Sequence, residues 1–161
     1  MFRDLFEKFD FDTTTRMKAI FSSIFVLQNR MQTAGDKILA QISMKQWLLI
    51  AMTESCPEPR NLTNIGNLMG CSRQNVKKLA LSLEKKEFVR ILSGSNHSIC
   101  IELTEKVTEY AKEIGLQQMQ VLKLLFADFN EKEIQQLFKL YAKFFAGVDR
   151  VEKYAEEIGH K

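Results

Sequence analysis

Residues Ser72, Arg73, Gln74, Asn75, Lys77 and Lys78 gather a hydroxyl, a guanidinium, two amides and two ammonium groups into one short run. On a helix at about 100° per residue, Gln74, Lys77 and Lys78 share one side, with Arg73 and Asn75 on its flanks. Val76, Leu79, Ala80 and Leu83 fall on the opposite side, within about one-third of the circumference, and read as the buried stripe. Glutamine and asparagine amides match the hydrogen-bonding edge of adenine, arginine and lysine that of guanine, and all of them serve phosphate oxygens. The run thus has the side chains for reading a duplex groove. Lysine-rich helices are also commonly just solvated faces, so the decision rests on what surrounds this one.

Charge gives the first context. The chain of 161 residues carries a net charge of only +3. Between Gly70 and Arg90 lie six basic residues (Arg73, Lys77, Lys78, Lys85, Lys86, Arg90) and two acidic ones (Glu84, Glu87), so this stretch is +4 and the rest of the chain −1. Localised positive charge of this kind is the footprint of a phosphate-facing surface.

The elements that must position this run come from local signals. Apolar residues recur mostly at three and four, which predicts a mainly helical chain. Phe2, Leu5, Phe6 and Phe9 mark a short amphipathic helix. Thr15 to about Thr33 predicts a second, with Ile20, Phe21, Ile24, Phe25, Leu27 and Met31 as its apolar set. Ser43 with Gln46 makes a capping box opening a helix through Trp47, Ile50 and Ala51, which CPEPRN then ends. In LTNIGNLMGCS, Thr63 is read as the cap of a short helix with Ile65, Leu68 and Met69 inward. Gly70 suits its left-handed end, and Ser72 caps the basic helix. Two helices joined by a short glycine-containing turn make a helix-turn-helix. VRIL and SICIEL follow as strands around the turn residues SGSNH, with Ile99, Ile101 and Leu103 alternating against Ser98, Cys100 and Glu102. A hairpin directly after a helix-turn-helix is a wing. Thr104 is read as the cap of a long helix. Asn130 with Glu133 opens the last one, whose stripe of Ile134, Leu137, Tyr141, Phe144, Val148, Val151 and Ala155 is heptad-like. Phe138 and Phe145 widen that stripe beyond what a single chain's core needs.

Other classes are set aside on the same evidence. Cys56, Cys71 and Cys100 are odd in number and widely spaced, and the two histidines, His97 and His160, have no spaced partners. Neither a disulfide framework nor a structural zinc site is expected. Cys71 precedes a helix cap, where a thiol's pKa falls, but reads as a small turn residue rather than a redox switch. No nucleophile–base pair or phosphate-cradling loop is found, so no enzyme and no cofactor are expected. Nothing approaches the run of about 18 apolar residues of a membrane span, and the acidic N-terminus is unlike a signal peptide; a cytoplasmic protein with no membrane partner is the expectation.

The order of LTNIGNLMGCSRQNVKKLALSLEKKEFVR, a hairpin and IELTEK resembles the MarR family of winged-helix transcriptional regulators. Ser43-Met-Lys-Gln46-Trp47, Leu83-Glu-Lys-Lys, Leu103-Thr104 and Phe126-Ala-Asp-Phe-Asn-Glu-Lys-Glu133 are similar to further family segments. The resemblance implies a mainly α, winged helix-turn-helix fold with N- and C-terminal dimerisation helices. It assigns 36–107 to the DNA-binding domain and 1–35 with 108–161 to the dimerisation region. It implies a homodimer acting as a repressor on a palindromic DNA site, and relief by a small aromatic effector whose residues are not assigned. Ser72, Arg73, Gln74, Asn75, Lys77 and Lys78 would contact DNA, with Thr63 and Arg90 at its backbone and Asn96 and His97 at the wing. The chain departs from the family at the wing, where Ser93 to His97 contains no arginine, at Glu87 and Val107, where glycines are usual, and at Leu81, where a polar residue is usual. These departures put most of the DNA contact on the basic helix. They also keep open a winged-helix protein-interaction module that antagonises another regulator.

Overall fold

The computed structural model describes residues 6–94 and 98–159. These contain six helices, α1 (Thr13–Ile38), α2 (Met44–Ser55), α3 (Leu62–Met69), α4 (Arg73–Glu84), α5 (Glu105–Leu125) and α6 (Glu131–Gly159). An antiparallel hairpin of β1 (Val89–Ser93) and β2 (Ile99–Leu103) lies between α4 and α5. The winged helix-turn-helix expected from the sequence is present. The chain divides into two compact units, Met1–Ile114 and Gly115–Lys161.

In the first unit the core is built where α2, α3, α4 and the hairpin meet. Leu49, Leu62, Ile65, Val76, Ala80, Leu83, Phe88 and Val89 are essentially without solvent contact. Phe88 meets Tyr110 of α5 edge to face at 5.3 Å between ring centroids, the favoured geometry of an aromatic pair. Burial pushes the Tyr110 hydroxyl above its ordinary pKa, so that ring stays neutral around pH 7.

The local signals are largely realised. Ser43 accepts from the Gln46 N–H at 3.2 Å while the Gln46 side chain accepts from the Ser43 N–H at 3.0 Å. Asn130 and Glu133 make the same reciprocal pair at the start of α6. Gly70 ends α3 at φ +62°, and Ser72 caps α4 by accepting from Asn75 N–H at 3.3 Å.

Other features differ from the sequence reading. Helix α3 is capped by Asn61, whose side-chain oxygen accepts from Thr63 N–H and Asn64 N–H at 3.0 and 2.9 Å. Thr63 is therefore already inside the helix. Leu62, Ile65 and Gly66 are buried there and Met69 packs half-buried against the core, whereas Leu68 is exposed. Helix α1 extends to Ile38, past the predicted end at Thr33. The predicted N-terminal helix lies partly outside the described residues. Thr104 donates its hydroxyl to the Glu87 carbonyl at 2.6 Å, tying the start of α5 to the end of the α4 segment.

Gly66 explains the tight turn into α4. A Cβ there would sit 2.8 Å from the Cys71 carbonyl oxygen, a backbone atom that cannot step aside. The other backbone constraint falls at Glu87, which holds φ 64° where glycine would be unstrained. A left-handed L-residue costs about 1–2 kcal/mol, and the exposed 3.9 Å Glu87–Lys106 pair returns little. Glu87→Gly is expected to raise stability by about 1 kcal/mol, read as a later urea midpoint at unchanged slope. An earlier midpoint would contradict this account of the turn.

Candidate nucleic-acid interface

Helix α4 is held by its inward face. Val76, Ala80 and Leu83 are buried and Leu79 half-buried, while Ser72, Arg73, Gln74, Asn75, Lys77 and Lys78 are all exposed. Gln74, Asn75, Lys77 and Lys78 share a shallow concavity of about 640 Å³ with Leu81, Ser82 and Lys85. No carboxylate lines it. The buried stripe thus turns the polar stripe outward, as the periodicity requires.

A polar hub fixes this helix to α2. Gln46 is buried, and its amide donates to Ser82 Oγ at 2.8 Å. Its carbonyl oxygen accepts from Lys86 Nζ at 3.1 Å, and Lys86 Nζ also donates to the Gln41 carbonyl at 2.8 Å. Lys86 is therefore turned into the molecule, although its charge counted toward the basic footprint in the sequence. Gln46→Ala removes a partner from Ser43 N–H, Ser82 and Lys86 together, and is expected to cost about 2 kcal/mol, measured by urea unfolding. A change near zero would mean the hub does not hold α4 in place.

The remaining sequence candidates are dispersed. Thr63 is exposed on the first turn of α3. Arg90 is exposed on β1 and sits 3.7 Å from Glu102 of β2, its cross-strand neighbour. Neither lines the concavity. Asn96 and His97 lie outside the described residues. Lys85 belongs with the outward stripe, as its position eleven residues after Gln74 on a helix period allows. Cys71 is half-buried and packs against the core. Among the described residues no group of His, Cys, Asp and Glu is placed to hold a metal ion, and no helix is long and apolar enough to cross a membrane.

The fold that carries this exposed basic helix is shared by a large set of solved structures. A MarR/EmrR family transcriptional regulator from Acinetobacter sp. ADP1 superposes with a TM-score of 0.72 at 24% identity, over 83% of this chain and 96% of its own. The chain has the MarR-family fold. MepR of S. aureus, solved as a complex with DNA, superposes with a TM-score of 0.67 at 16% identity, over 79% of this chain and 97% of that one. In sequence, the transcriptional repressor MprA of Escherichia coli is 24% identical over 132 residues, spanning 79% of this chain and 75% of the repressor. No protein-family model matches the chain. Within this fold α4 is the second helix of the helix-turn-helix, directly before the hairpin.

Proposed function

We propose that the chain is a sequence-specific, DNA-binding transcriptional regulator that acts as a homodimer, and as a repressor. The observation that carries this is the outward face of α4: an exposed stripe of amides and ammonium groups with no carboxylate among them. A helix of this kind fits the major groove and offers both base-edge and phosphate contacts. The crystallised complex of MepR with DNA and the repressor activity in the name of MprA support the reading. The absence of acid from this face also favours nucleic acid over a protein partner, the alternative role for a winged helix.

Dimerisation is supported by apolar surface. No residue of α6 is buried, and Phe138, Phe145, Val151 and Tyr154 are each more than 60% exposed. On α1, Phe21 and Phe25 are also exposed. Surfaces of this size and composition are met by association, and symmetric pairing of like faces is the commonest solution. Selection of bound sequences from a random DNA pool tests the proposal. A two-fold symmetric consensus is the expected result, and recovery of no consensus would refute it.

The resemblance further implies relief by a small aromatic ligand. A concavity of about 500 Å³ against α1, walled by Phe6, Phe9, Val26 and Leu27 with Lys18 at its edge, offers an aromatic acid both apolar contact and a cation. Titrating benzoate-type acids into the DNA complex checks this. Release of DNA supports the reading, and no release across the panel refutes it.

A further inference from the structure

Leu81 is the one apolar side chain among the polar residues that line the outer concavity of α4. At about 100° per residue it lies within about 20° of Gln74, about 40° of Lys77 and Lys85, and about 60° of Lys78. It is therefore the centre of the outward stripe. It is 44% exposed and does not join the hydrophobic core cluster. The core does not use this leucine side chain, yet its neighbours are three ammonium groups and an amide suited to a duplex groove.

We propose that Leu81 is a specificity-determining residue that packs on the C5-methyl group of a thymine in the major groove. The inference rests on the proposed DNA-binding function and names what this face reads. Among base edges in the major groove, only thymine presents an apolar group. The lysines around Leu81 would engage the phosphates on either side and hold the side chain against the base pairs. Gln74 lies seven residues earlier, about 10.5 Å along the helix axis. For a helix lying along the groove that is about three base steps of 3.4 Å. An adenine read by Gln74 and a thymine read by Leu81 would thus occupy one half-site.

The test replaces each thymine of the selected consensus in turn by deoxyuridine, which removes the methyl group and preserves base pairing. Binding of the full chain is followed by fluorescence anisotropy. The native protein is expected to lose about fourfold in affinity at one thymine per half-site, the effect of one buried methyl-sized group. Leu81→Ala is expected to bind the thymine and deoxyuridine duplexes equally, and Leu81→Met to keep the difference. Because Leu81 is outside the core, both variants should retain the native circular dichroism spectrum. A native protein indifferent to every replacement overturns the inference while operator binding stands, as does a Leu81→Ala variant that keeps the full loss. A chain that selects no consensus overturns the DNA-binding reading itself, and the inference with it.

Discussion

The double substitution Lys77→Ala, Lys78→Ala is expected to weaken binding to every DNA sequence and to flatten its dependence on salt. Both side chains are exposed on the outward stripe of α4, with no carboxylate beside them in the concavity. Each phosphate contact releases condensed counterions, so the slope of log affinity against log salt changes by about 0.9 per contact. A dimer lacking both lysines on each protomer loses four contacts, and the slope should fall in magnitude by about 3.6. The fold should be unaffected, because neither residue belongs to the core. Lys86→Ala makes the informative control. Its ammonium group is committed to Gln41 and Gln46, so its loss should lower stability and leave the salt slope alone. Equal slopes for the native protein and the double variant would contradict the assignment of α4 to phosphate contact.

The second large effect is expected at the C-terminal helix. Phe138 and Phe145 are 77% and 69% exposed, seven residues apart on a helix with no fully buried residue. In a symmetric dimer both would be covered. Burial of a phenylalanine is worth about 2 kcal/mol, and four such groups across the two protomers come to about 8 kcal/mol. Phe138→Glu, Phe145→Glu should therefore raise the dissociation constant of the proposed dimer by about six orders of magnitude. Sedimentation should find a monomer, and affinity for the two-fold site should collapse to that of one lobe. A variant that sediments as the native protein does would place the dimer contact elsewhere.

Much of this arrangement is written locally. The capping pairs of Ser43 with Gln46 and Asn130 with Glu133 each span three residues and compete with nothing distant, so sequence spacing suffices to find them. The outward stripe of α4 follows from helical period alone. What escapes such reading depends on groups far apart in the chain. The cap of α3 is Asn61 rather than Thr63. Both are competent cap residues, and Asn61 is fixed there by the Arg60–Asn61 segment, which runs beside β2 with Ile101 N–H donating to the Arg60 carbonyl at 2.9 Å. Lys86 looks like part of a basic surface until Gln41, 45 residues earlier, takes its proton-bearing end inward. Arg90 stays exposed on β1, but the hairpin register sets Glu102 opposite it, a pairing that sequence spacing does not announce. Gly66 carries no sequence signal beyond being a glycine within a short helix, and its need comes from the approach of the Cys71 carbonyl. Local patterns thus locate the outward stripe of α4, and long-range pairing decides that Lys86 does not join it.

The most direct measurement is an anisotropy titration of the full chain on its selected consensus and on a duplex of the same composition in shuffled order, at matched salt. A sequence-specific regulator is expected to bind the consensus at least about 1000-fold more tightly. Equal affinity for the two duplexes would contradict the central claim that α4 reads DNA sequence.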